Sequence, residues 1–118
     1  REQFGVPLAK FQVLQHRMAD MFMDAEEALS MANMAALRAD DPDPVKRAHG
    51  VSAAKAFIGQ AGRRVGQESI QMHGGMGVTA EMPISHYFKR LTMIDTMFGN
   101  ADFHLARVSD LMEAPAAA

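Results

Sequence analysis

The sequence runs to 118 residues, 48% hydrophobic and 22% charged, with a formal net charge of −2. That length suits one domain with a modest core, and the charge balance gives no electrostatic basis for partnership with nucleic acid or an anionic membrane. The absence of cysteine excludes disulfides, thiolate catalysis and Cys-ligated zinc and fits a cytoplasmic protein, and no apolar run approaches the roughly 20 residues of a membrane span.

The chain opens on Arg1 rather than Met, without a signal-peptide pattern, and is expected to begin inside a longer protein. From Pro7 to Arg38 nothing breaks a helix, and Pro7 suits its first turn. The stripe Phe11, Leu14, Met18, Met21, Ala25, Ala28, Ala32, Ala35 steps by threes and fours. Its alanines predict close approach by a neighbouring helix, and Lys10, Asp20 and Asp24 fall on the opposite, solvated face. This seam also needs a partner from outside the chain, so the fragment alone is expected to self-associate.

Ala39–Pro44 is dense in turn formers, with Asp43 placed to cap a second helix and Pro44 in its first turn. That helix is predicted to reach His73, with apolar positions Val45, Ala48, Val51, Ala54, Ile58, Ala61, Val65 and Met72. Gly50, Gly59, Gly62 and Gly66 each cost it about 1 kcal/mol relative to Ala. They point to close contact with another helix or a ligand, or else to flexibility. Gly74-Gly75-Met76-Gly77 stops the helix. Pro83 opens a third, over about Ile84 to Phe98; Gly99-Asn100 breaks it, and Asn100 caps a fourth from Ala101 to about Met112. No strand-like alternation persists. The prediction is an all-α, up-and-down bundle over residues 1–112, with 113–118 as a flexible tail. The 11 methionines read as gap-fillers of a helical core, with a pliable subunit contact as the alternative.

The chemistry legible from residue types alone is sparse. His16, His49, His73, His86 and His104 make no Glu-x-x-His pair and no H-E-x-x-H pattern, so no metal site is expected. The glycine cluster lacks the Lys-Ser/Thr of a phosphate loop and follows a helix, where the macrodipole is negative. A flat neutral ring would suit it better than a phosphate. Glu26-Glu27 do not face one another, and Glu81 reads as a loop carboxylate.

Three segments in order resemble the C-terminal domain of the acyl-CoA dehydrogenase family. Arg1-Glu2-Gln3-Phe4-Gly5-Val6-Pro7-Leu8, with Phe11-Gln12, matches its R-x-x-F-G-x-P-L segment. Gln71-Met72-His73-Gly74-Gly75-Met76-Gly77 matches its Q-x-x-G-G-x-G turn, and Glu81-Met82-Pro83 leads to Tyr87-Phe88-Lys89-Arg90. The resemblance runs from Arg1 to about Arg107 and implies a bundle lacking its first helix. It also implies a flavoprotein whose FAD lies at a dimer interface, in a homo- or hetero-oligomer, such as a dimer of dimers, that oxidises acyl-CoA at the Cα–Cβ bond. Arg1 would then reach the pyrophosphate of the neighbouring subunit's cofactor, Phe4 and Gln12 would lie near it, and Gln71, Gly74 and Gly75 would back its adenine.

The same resemblance raises a difficulty. Many members carry the catalytic carboxylate in a Tyr-Glu-Gly-Thr segment, where this sequence reads Met97-Phe98-Gly99-Asn100. Phe98 stands at the base position and cannot accept a proton, Asn100 replaces a flavin-side threonine, and Lys89-Arg90 replaces Arg-Asp. The base could lie on the preceding helix, or the chain could be a silent, structural subunit of a mixed assembly. Alternatively Asp95 or Asp102 could act from a shifted position, Asp102 being the candidate within this chain. A reading outside the family, an unrelated helical interaction module, predicts no flavin at all.

Overall fold

The computed structural model describes residues 1–113. Of the expected tail over 113–118, Glu113 is the last residue of a helix and Ala114 to Ala118 lie outside the described residues. The elements in chain order are β1 (Glu2–Gln3), β2 (Val6–Pro7), α1 (Gln12–Ala39), α2 (Pro44–His73), α3 (Pro83–Thr96) and α4 (Ala101–Glu113).

Two expectations at the start of the chain are corrected. β1 and β2 form a small antiparallel hairpin pairing Glu2 with Pro7 and Gln3 with Val6. Phe4 and Gly5 turn it with φ of 57° and 79°, the geometry of a tight two-residue hairpin loop. Strands of two residues are too short to display an alternating pattern. Pro7 therefore ends a strand instead of opening a helix. One turn of 3-10 helix follows at Leu8–Lys10, and α1 begins only at Gln12 because Phe11 is extended, with ψ of 121°.

The link to α2 is built as predicted at its cap. The Asp43 side chain accepts from the backbone N–H groups of Val45 and Lys46, with Pro44 in the first turn. Asp41 locks the approach: its carboxylate accepts from Asp43 N at 3.0 Å and from Arg38 Nη1 at 2.9 Å. These bonds hold the Asp41 carboxyl below its ordinary range, the Asp43 N–H contributing most and Arg38 next.

α2 is the central member of the bundle. α1 runs antiparallel to it, as two ion pairs show: Arg17 to Glu68 at 2.6 Å and Asp24 to Arg64 at 2.6 Å. Asp24 thus faces α2, not solvent as its place off the apolar stripe had implied, and its carboxyl is held below the ordinary value chiefly by the Arg64 hydrogen bond. The inward face of α1 is Leu14, Arg17, Met21, Asp24, Ala28, Met31, Met34 and Ala35, none of them fully buried. Met18, Ala25 and Ala32 of the predicted stripe are exposed.

On α2 the fully buried residues are all small: Gly50, Ser52, Ala54, Ala56, Gly59, Ala61, Gly66 and Ser69. Val45 and Val51, predicted apolar positions, are exposed. The helical glycines are close contacts between helices, not hinges. A side chain at Gly50 would meet Arg38 and Met34 of α1, while Gly59 lies against Asp95, Gly62 against Leu91 and Gly66 against Phe88. Gly50 makes one close approach to α1, beside Arg38 and Met34. α3 stops at Thr96, two residues short of the predicted end, because Lys55 Nζ of α2 takes the carbonyls of Ile94 and Asp95 at 3.0 and 2.8 Å. A cation there complements the negative end of the helix and the carbonyls of its last turn. Asn100 caps α4 through Phe103 N at 2.9 Å, as expected.

Candidate functional site

The hairpin and the glycine bend at the end of α2 lie far apart in sequence but meet in the fold. Leu8 N donates to Arg1 O at 2.9 Å, which ties the start of the chain to the entry of α1. Arg1 Nη1 donates to the thioether sulfur of Met76 at 2.9 Å. Between them lies a largely apolar groove of about 490 Å³, whose walls include Arg1, Leu14, Met18, Met72, His73 and Met76.

Of the expected cofactor residues only Arg1 is a wall of this groove; Phe4, Gln12, Gln71, Gly74 and Gly75 lie outside its lining. Phe4, 88% exposed, projects from the hairpin turn and packs edge-on to Phe11 with ring centroids 6.2 Å apart. Gln12 is the exposed first residue of α1. Gln71 is exposed in the last turn of α2, and its carbonyl accepts the N–H of Gly74. Gly74 has φ of 61° and ψ of −148°, and among the described residues no heavy atom lies within 4 Å of where a Cβ would stand on Gly74 or Gly75. Gly77 differs: it is buried, and a Cβ there would strike the Ile70 carbonyl.

Met18, Met72, Met76, Met82 and His73 also line the groove and were not singled out from sequence as site residues. The available signal was the abundance of methionine, which suits an adaptable apolar wall as well as a core. His73 Nδ1 donates to the Ser69 carbonyl at 2.7 Å, which fixes the ring at the groove wall. The site's cationic group is thus the Arg1 guanidinium, whose fork geometry and permanent charge suit a phosphate.

A second, polar region surrounds the α3–α4 turn. Phe98 and Gly99 have φ of 59° and 92°, and the Phe98 side chain is 88% exposed. Asp95 is buried and committed to structure: it pairs with Arg63 at 3.0 Å and accepts from Ala101 N at 3.1 Å. Asp102 is exposed in the first turn of α4 and borders a polar cleft of about 260 Å³ with Arg63, Arg64 and Asn100. His104 is buried, with Nδ1 at 3.2 Å from Ser52 Oγ and Nε2 at 2.8 Å from the Phe98 carbonyl. Lys89 and Arg90 are exposed. Among the described residues no three His, Asp or Glu side chains gather as a metal site would require, and no helix is long and apolar enough to cross a membrane.

The family model described as acyl-CoA dehydrogenase, C-terminal domain, matches residues 1–112. Acyl-CoA dehydrogenase IpdE2 of Mycolicibacterium smegmatis is 39% identical over 92 residues, covering 76% of this chain and 27% of that protein. Acyl-CoA dehydrogenase FadE27 of Mycobacterium tuberculosis is 32% identical over 125 residues, covering 98% of this chain and 33% of its own length. The chain therefore spans about a quarter to a third of these curated relatives. Among solved structures, a chain of the ChsE4–ChsE5 complex from Mycobacterium tuberculosis superposes with a TM-score of 0.86 at 33% identity, over 98% of this chain and 31% of that one.

Proposed function

The chain belongs to the acyl-CoA dehydrogenase family as its C-terminal domain, and from that premise we propose that it grips the ADP half of an FAD held by a neighbouring subunit. The full protein would then be an oligomeric flavoprotein that oxidises acyl-CoA thioesters. The observation that carries this reading is the meeting of Arg1 with the Met76 end of the glycine bend.

The residues present fit such a group. Arg1 offers a fixed positive charge for a pyrophosphate, and the Gly74–Gly75 backbone offers a flat, open surface for adenine. The glycine at 75 is otherwise unexplained: its φ is not left-handed and no atom of the described residues crowds it. A ligand or partner lying against the backbone supplies the missing reason. The negative end of the α2 dipole also suits the neutral base, with the phosphates displaced toward Arg1.

FAD, when bound, supplies the hydride acceptor for the reaction. This chain's own share is binding and orientation, since Phe98 at the base position can hold no proton. Asp95, spent on Arg63 and Ala101 N, is poorly placed to act instead. Asp102, exposed in the first turn of α4, carries neither of those bonds. A base on a preceding segment, or on the partner in a mixed assembly, meets the same need. Phe98 favours a second reading: the chain is the structural half of a heteromeric dehydrogenase, an arrangement akin to the two-component ChsE4–ChsE5 complex.

The full-length protein, produced alone and with candidate partner subunits, should show a bound-flavin visible spectrum that acyl-CoA bleaches. Arg1→Ala should weaken flavin retention by about 1.5–3 kcal/mol, the worth of a charge-assisted contact. A protein that stays colourless with every partner would overturn the proposal. Bleaching only with a partner present would establish the second reading.

A further inference from the structure

The turn between α3 and α4 combines two features that cost stability. Phe98 holds a left-handed backbone with φ of 59°, and its ring is 88% exposed. Neither arises by default in a non-glycine residue. A strained residue persists only where its surroundings over-determine it, and here they do.

Two groups of α2 and one of α4 reach into the turn. Lys55 takes the last carbonyls of α3, and Arg63 holds Asp95, whose carboxylate receives Ala101 N. The third contact acts on residue 98 itself. The Phe98 carbonyl can only accept, so His104 Nε2 carries the hydrogen and donates at 2.8 Å. In the neutral ring Nδ1 then accepts from Ser52 Oγ, 3.2 Å away and itself fully buried. The Phe103 ring stands edge-on to His104 at 5.1 Å and also crowds Gly99, closing the remaining side.

We infer that His104, anchored by Ser52, is a positioning residue that fixes the Phe98–Gly99 turn, so that whatever side chain stands at 98 is delivered in one direction as a preorganised group. This rests on the reading above for what that side chain meets, namely the acyl thioester beside the flavin. With Phe98 the turn delivers an apolar plug; with a carboxylate it would deliver a proton acceptor. The platform for a base is thus intact although the base is not there.

The test uses the full-length protein in its native assembly. Amide hydrogen exchange over residues 97–103 should be slow, should quicken about ten-fold in His104→Ala with the rest of the bundle unchanged, and should slow again in His104→Gln, which restores a donor. Should His104→Ala fail to fold, Ser52→Ala keeps the ring but frees its far nitrogen, and should give a smaller change of the same sign. Phe98→Glu should quicken acyl-CoA-dependent flavin bleaching over that of the unaltered protein. Adding His104→Ala should then cut kcat about ten-fold with KM little moved, as expected when a reacting group loses its aim.

Exchange that ignores His104→Ala would overturn the inference. So would bleaching in flavin-loaded Phe98→Glu that is no faster than in the unaltered protein, or equally fast with and without His104. A protein that never binds flavin would overturn the reading of the previous section instead, and the exchange measurement would still decide the role of His104.

Discussion

Gly59 of α2 lies directly under the buried carboxylate of Asp95, so close that a Cβ at 59 would collide with Oδ1. The carboxylate cannot retreat, being held by Arg63 and by Ala101 N. Gly59→Ala should therefore destabilise the fold by about 2–4 kcal/mol, combining overpacking with disturbance of a buried charge. Urea unfolding midpoints would check this, and a loss under 1 kcal/mol would mean that α3 shifts freely on α2.

Adjacent glycines at the bend should behave differently. Gly74 has a backbone that other residues adopt only at about 1–3 kcal/mol, so Gly74→Ala should lower the melting temperature. Gly75 is neither left-handed nor crowded, so Gly75→Ala should leave stability unchanged or slightly higher yet weaken flavin retention in the full protein. Equal flavin retention in Gly75→Ala and wild type would remove adenine from that surface.

Acid should loosen the bundle at its α1–α2 seam. Asp24 and Asp41 both sit below the ordinary carboxylate value of 3.8, through Arg64 and through Asp43 N and Arg38 respectively. A depressed folded-state value means stabilisation that is complete above about pH 4 and is lost as pH falls through the lowered values. Asp24→Asn should cost about 0.2–1 kcal/mol at neutral pH, as partly exposed pairs do, and should flatten that acid limb. Melting curves from pH 7 to pH 3 would show it.

The outer face of α1 should drive self-association of the 118-residue chain on its own. Phe22, Met23, Leu29 and Leu37 are exposed there, Leu37 by 82%, a density of apolar surface that a soluble monomer rarely presents. Light scattering should report a mass above that of one chain, and Phe22→Glu with Leu37→Glu should return it to a single copy. A monodisperse monomer of the unaltered chain would count against the idea.

The bundle was legible where local chemistry decides. Asp43-Pro44, Gly74 and Asn100 mark helix ends by capping and backbone freedom alone, and all three hold. It was less legible where a distant residue intervenes. The end of α3 moves because Lys55, 39 residues away from Ile94, reaches its carbonyls. Asp24 turns inward because Arg64 waits on α2, and periodicity counts a carboxylate as polar whichever way it faces. The hairpin was hidden by its brevity, and of its two turn residues only Gly5 is of a type that takes a left-handed backbone readily. For the groove, the matched segments led to Arg1 and the glycine bend. The methionine lining went unnoticed because nothing in linear order brings Met18 beside Met72 and Met76.

α2 separates Ser52, under the Phe98 turn, from His73, at the Arg1 groove, by about 30 Å at 1.5 Å per residue. If the proposed reading holds, one end serves a neighbour's cofactor and the other serves the subunit's own reaction chamber. Injuries would then sort by destination: damage near Arg1 would fall on another copy, damage near Phe98 on the copy that carries it. Mixing two differently impaired proteins should accordingly give inter-allelic complementation patterns that distinguish the two ends.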